Sequence, residues 1–173
     1  MKVLSVDPAS GISRGASKTG YAYFDDGQLV TSAELTFEEV TDFGIRRELL
    51  AFADVLVIEG QALWHGPNVK VMRQQGDSKC LWTVLAKDFH LIYPDQRKTP
   101  IQVIEMAPQV WMKAVNRGWK FGKGSKRNDD AIRQYVKARW GISDAGPDEL
   151  AAICIGGVFL DQWKLENASD KNK

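Results

Sequence analysis

Three carboxylates stand where apolar runs end or a helix begins: Asp7 closes KVLSVD, Glu59 closes VLVIE, and Asp148 follows Pro147 at the head of a long apolar segment. A run such as Val55–Ile58 has the pattern of a strand buried on both faces, and an acid at its end needs a neutralising partner. Acids gathered at the carboxyl ends of neighbouring strands would repel one another, and a hard divalent cation is their natural counter-charge. Mg2+ or Mn2+ takes oxygen ligands and keeps positions open for water and phosphate. Two such ions about 4 Å apart could activate a water and stabilise the leaving oxygen of a phosphodiester displacement, with no nucleophilic side chain. The chain has no Walker A sequence and no HExxH pair. Each acid also has a plainer reading: Asp7-Pro8 as a turn, Glu59 as a paired core acid, Asp148 as first-turn helix chemistry. Their joint order along the chain favours catalysis.

The second feature is basic. No acidic residue falls between Ala107 and Asn128, while Lys113, Arg117, Lys120, Lys123, Lys126 and Arg127 all do, interleaved with Trp119, Phe121 and glycines. A net charge of +1 would not suggest a polyanionic partner. The local excess does, because unneutralised cations mixed with aromatics suit a surface that follows a phosphate backbone. A solvated charged surface is the alternative.

The elements that must hold these groups follow from periodicity. Lys2–Asp7, Tyr21–Phe24 and Gln28–Leu35 read as strands, with Asp25, Asp26 and Gly27 turning the second into the third. Pro8 to Gly20 is a Gly- and Ser-rich loop carrying Arg14 and Lys18. Glu38–Ala53 has helical spacing, Asp54–Ile58 reads as a parallel strand, Asn68–Phe89 as a long helix despite Gly76, and Ile101–Met106 as a fifth strand. Gln109–Val115 is a short helix begun by Pro108, Asp129–Trp140 a helix with Asn128 as N-cap, and the last helix runs from near Pro147 to about Leu165. The order β, β, β, α, β, α, β, then helices, predicts an α/β fold with a mixed five-stranded sheet and helices on both faces.

A chain of 173 residues with 44% hydrophobic and 26% charged residues suits one packed domain. Nothing in it has the 18 or more apolar residues of a membrane span, and the first strand begins at Lys2 without a leader, so an intracellular (cytoplasmic) location is expected. Cys80 and Cys154 lie in apolar helical patterns without a CxxC pair and are expected to be free core thiols.

The ordered set Val6-Asp7-Pro8 with Thr19-Gly20-Tyr21, Val57-Ile58-Glu59, Asn68, Gly76, Pro108 with Val110 and Lys113, Gly122–Lys126, and Asp148–Ile153 resembles the RuvC-type Holliday junction resolvases of the RNase H-like nucleases. The resemblance covers nearly the whole chain and implies a nuclease domain over 1–166; the polar stretch 167–173 reads as a flexible tail. It further implies Mg2+ or Mn2+, as two ions per site, on Asp7, Glu59 and Asp148, and a homodimer that nicks a four-way DNA junction symmetrically. A lysine of the glycine-containing segment, Lys123 or Lys126, would approach the scissile phosphate, and Trp64 would stack at the junction centre. His65, Asn68, Lys113, Arg117, Lys120 and Arg127 complete the expected DNA contacts. Two departures stand out. Ala9 and an insertion replace the short Gly turn after Asp-Pro, and the position three before the final Asp, a fourth acid or His in the family, is Ala145. Asp144 is the nearest acid and is nominated as fourth ligand if it caps the last helix. A nuclease for Y-junctions, flaps or forks, and a non-catalytic junction-binding protein, are the competing readings. An actin-like phosphotransferase would need a second lobe for which 173 residues leave no room.

Overall fold

A computed structural model describes residues 1–8, 18–60, 69–116 and 125–170; the side chains of 69–77, 125–128 and 170 are left aside. The strands are β1 (Lys2–Asp7), β2 (Thr19–Asp25), β3 (Gln28–Leu35), β4 (Val55–Glu59) and β5 (Gln102–Met106). The helices are α1 (Phe37–Thr41), α2 (Phe43–Ala51), α3 (Val69–Ile92), α4 (Pro108–Val115), α5 (Ser125–Trp140) and α6 (Pro147–Asp170). The sheet order is β3-β2-β1-β4-β5. The first three strands form an antiparallel meander, and β4 and β5 add in parallel on the other side of β1. This is the expected mixed sheet.

Alternation along β1 and β4 divides the core in two. Val3, Val55 and Val57 face a cluster built from α4, α5 and α6, including Trp111, Val136 and Ile153. Leu4, Val6, Leu56 and Ile58 face the opposite cluster, with Leu50 of α2 and Trp82, Ala86 and Phe89 of α3. Burying one face of each strand against each helical layer gives the apolar area that holds the sheet. On the first face Ser5, fully buried, bonds the Ala152 carbonyl oxygen at 2.7 Å, and a side chain at Gly156 would overlap the Phe24 ring. Helix α6 therefore packs close against the strands.

The β2–β3 hairpin turns on Asp26 and Gly27, with φ of 47° and 82°, the two left-handed residues a tight primed turn requires. A register shift follows between Tyr23 and Phe24. The single helix expected over Glu38–Ala53 is two: Asp42 ends α1, and its side chain caps α2 by accepting from Gly44 N at 2.7 Å. Helix α5 begins at Ser125, so Asn128 lies within it and is not its cap. Helix α6 outruns its expected end at Leu165, and within its last turns Asn167 Nδ2 donates to the Trp163 carbonyl and Ser169 Oγ to that of Glu166. Both cysteines are free, but Cys80 is exposed rather than in the core; Cys154 is buried, and burial pushes its thiol up to about 12. Among the described residues no helix is long and apolar enough to cross a membrane.

Candidate metal centre

Strands β1 and β4 run parallel with Val6 beside Ile58, so the next residues, Asp7 and Glu59, leave the sheet side by side at its carboxyl edge. Because Val6 and Ile58 face the α2–α3 layer, the alternation of a strand turns Asp7 and Glu59 toward α4 and α6. There the two carboxyls come within hydrogen-bonding reach of each other. Two ionised carboxylates cannot share such a contact without a proton or a cation between them. Trp111, buried in α4 and set by the Pro108 start of that helix, donates its indole N–H to Glu59 Oε1 at 2.9 Å and orients the pair.

The third acid arrives from above the sheet. Gly20 on β2 pairs with Asp7 on one side and with Glu34 of β3 on the other. A Cβ at Gly20 would overlap the backbone carbonyl of Asp148, so the missing side chain is what lets the first turn of α6 settle between Asp7 and Glu34. Glu34 Oε1 accepts the Asp148 backbone N–H at 3.2 Å, and Ser32 Oγ donates to Glu149 Oε1 at 2.6 Å, so β3 holds the start of α6 from outside the helix. Glu34 Oε2 in turn pairs with Lys18 Nζ at 3.0 Å, and the Lys18 backbone N–H bonds the Asp148 carboxylate.

The electrostatics follow from this placement. Burial, then repulsion by Glu59, their shared hydrogen bond and the charge of Asp148 together hold the Asp7 carboxyl well above the usual carboxylate range. Burial also raises Glu59, with Asp148 adding to the effect and the bonds from Trp111 and Asp7 opposing it. Asp148 is raised by burial and by the charge of Glu34, against the pull of Lys18. A pocket that drives carboxyls toward their protonated forms is one in which a divalent cation would displace protons. The donor set, all oxygen and anionic, fits a hard cation of the Mg2+ or Mn2+ type.

The sequence expectations meet this geometry unevenly. Asp7 and Glu59 are in contact and Asp148 is coupled to both by charge, yet among the described residues no three acids, histidines or cysteines converge closely enough to ligate one ion. Asp144 does not join them. The Leu150 N–H bonds the Gly146 carbonyl, which makes Gly146 the cap of α6, and Pro147 opens the helix. Asp144 therefore precedes the helix, exposed, and the one-face spacing expected of Asp144 and Asp148 does not apply. Lys113 is exposed in the last turn of α4. Trp64, His65, Asn68, Arg117, Lys120 and Lys123 lie outside the described residues, and Lys126 and Arg127 are placed only as backbone in α5. Gly11 to Gly15 (GISRG) has the spacing of a serine-nucleophile elbow; it too lies outside the described residues, and the element that follows it is strand β2, where an elbow needs a helix.

Two contributors were not anticipated. Trp111 carried no signal beyond helical apolarity. Glu34 lies in a strand read only as the return of a hairpin, and its place beside the acids depends on the register shift: an unshifted hairpin would set Ala33 opposite Gly20.

No protein-family model and no curated protein sequence matches the chain. Among solved structures it is similar to "T. thermophilus RuvC in complex with Holliday junction substrate", at 13% sequence identity and a TM-score of 0.56, over 91% of each chain. The likeness is one of fold, and with the sheet order above it gives this chain the RNase H-like architecture.

Proposed function

We propose that the chain is a metal-dependent endonuclease acting on branched DNA, with the four-way junction as its substrate. The observation that carries this reading is the contact between the Asp7 and Glu59 carboxyls at the carboxyl edge of two parallel strands, with Asp148 seated next to them. In an open sheet that edge is where ligands bind. The solved structure that shares this fold holds a Holliday junction, which supports the substrate class. Two copies related by a two-fold axis would suit a four-way substrate of matching symmetry. The actions proposed for this chain place it inside the cell.

Asp7 and Glu59 would hold Mg2+ or Mn2+ with Asp148 adjacent, and the bound ion would supply a water activated for attack and charge stabilisation at the phosphate. Trp111 keeps Glu59 in the orientation that faces Asp7, and the sheet fixes both backbones. The exposed Lys113, with Lys123, Lys126 and the other cations of the 113–127 segment, would bind the DNA backbone, and Trp64 would stack on a base at the branch point, a contact of about 1–3 kcal/mol. Lys113→Ala and Lys126→Ala should each lower the slope of log K against log salt by roughly 1, measured by titrating junction DNA at several salt concentrations. An unchanged slope removes that residue from the interface.

The proton balance gives a separate prediction. A carboxyl raised on folding keeps a proton that the unfolded chain has lost, so its contribution to stability is fullest below about pH 4 and declines as pH climbs toward the raised value. Without metal, the contribution of Asp7 to melting temperature should therefore fall from about pH 4 upward. Added Mg2+ should restore it, with release of protons and an apparent affinity that strengthens with pH. Melting curves with and without Mg2+ across this range check the sign; a metal effect that weakens with rising pH contradicts the ligand assignment.

The test of the activity is cleavage mapping on labelled four-way, Y-shaped and linear duplexes, with and without Mg2+. Paired, symmetric nicks in the four-way junction alone support the reading. Equal cutting of Y-shaped DNA makes the chain a broader branched-DNA nuclease, and binding without cleavage makes it a junction-binding protein.

A further inference from the structure

We infer that Glu34 is the positioning residue that sets Asp148 against the Asp7–Glu59 pair; the inference rests on the metal-site reading above. Ala145 is buried and apolar, and Asp144 beside it is exposed ahead of the helix, so neither serves the site. Glu34 reaches the Asp148 backbone from β3. It shares a register row with Gly20 and Asp7, and directly opposed residues on paired strands present their side chains to one face. With adjacent strands about 4.8 Å apart, Glu34 and Asp7 flank a gap of two strand spacings, and Gly20 leaves that gap open for the Asp148 backbone.

Within the gap Glu34 does two things. Its Oε1 takes the Asp148 N–H at 3.2 Å, one of the amides that the first turn of α6 cannot satisfy internally. Its Oε2 holds the Lys18 ammonium at 3.0 Å, and the Lys18 backbone N–H bonds the Asp148 carboxylate. Main chain and side chain of Asp148 are thus both fixed through one carboxylate, itself mostly buried at 13% side-chain exposure. Gly146 completes the fit. A Cβ there would overlap the Glu34 carboxyl, although nothing in the backbone at Gly146 requires glycine.

Groups that orient metal-binding carboxylates typically change metal affinity or activity by about 10–100-fold when removed. Glu34→Leu, close in volume but without an acceptor, should raise the Mn2+ concentration for half-saturation by about tenfold or more, read from free Mn2+ by electron paramagnetic resonance. Gly146→Ala perturbs the same contact from the other side and should shift Mn2+ binding in the same direction, with the double variant no worse than the more impaired single one. Glu34→Gln, which keeps an oxygen for the Asp148 N–H but loses the ion pair with Lys18, should fall between wild type and Glu34→Leu. Single-turnover cleavage of a four-way junction at saturating metal should then recover most of the lost rate in Glu34→Leu. Unchanged Mn2+ binding in Gly146→Ala overturns the inference, also where Glu34→Leu fails to fold, and so does Glu34→Gln binding as weakly as Glu34→Leu. If wild type binds Mn2+ and cuts no DNA, the nuclease reading falls while the Mn2+ titrations still decide the role of Glu34. A wild-type protein that binds no Mn2+ overturns both.

Discussion

Asp7→Asn should lower junction cleavage by at least about 10³-fold, equivalent to about 4 kcal/mol of transition-state stabilisation, while junction affinity stays within a few-fold of wild type. The asymmetry comes from where Asp7 sits. It lies at the end of the central strand with its carboxyl against Glu59, so the substitution removes a proposed metal ligand while every lysine and arginine of the chain is kept. The same change should raise melting temperature in metal-free buffer at neutral pH, because it relieves a buried carboxyl of repulsion from Glu59 and Asp148. Each kcal/mol so relieved is worth about 2–4 °C in a domain of this size. Inactive but more stable protein is the signature of a site strained for function. Cleavage by Asp7→Asn in Mg2+ at a rate near wild type would remove the metal assignment.

Gly20→Ala should be the most damaging single methyl in the meander. The added Cβ would run into the backbone carbonyl of Asp148, and neither side can yield cheaply: one is a strand paired on both edges, the other the first turn of the helix that packs on β1 and β2. Overpacking of this kind costs about 1–3 kcal/mol. A fall in melting temperature of roughly 2–12 °C follows from that range. Lifting α6 would also separate Asp148 from Asp7, so Mg2+ should stabilise the variant less than wild type. Retention of both stability and metal response would show that α6 does not seat on Gly20.

Much of this arrangement was legible because it rests on short-range pattern. Strands β1 and β4 announce themselves as apolar runs, and the acids that close them can be placed at one sheet edge once the order of strands and helices implies parallel pairing. The Asp26-Gly27 turn was equally plain, since few residues accept its backbone angles. What escaped was set by tertiary detail. Asp42 has no special pattern until its side chain is seen to cap α2, and Asn128 looks like a cap only if the helix is assumed to begin with the acidic pair after it. Asp144 suits a ligand only in a helix that it caps, and Pro147 with the Gly146 cap starts that helix later. Glu34 is the clearest case: a one-residue shift in a hairpin decides which face it occupies, and no local propensity encodes that shift.

The central position of β1 has a consequence for the time scale on which the acidic pair can rearrange. Both edges of β1 are paired, its interior residues are covered by helical layers on both faces, and Ser5 adds a bond to α6. Amide hydrogens in such a strand exchange with deuterium only through openings close to global unfolding. Asp7 and Glu59 should therefore be held by strands that exchange among the slowest in the molecule, and deuterium uptake over Val3–Val6 should remain at its floor whether or not DNA is engaged.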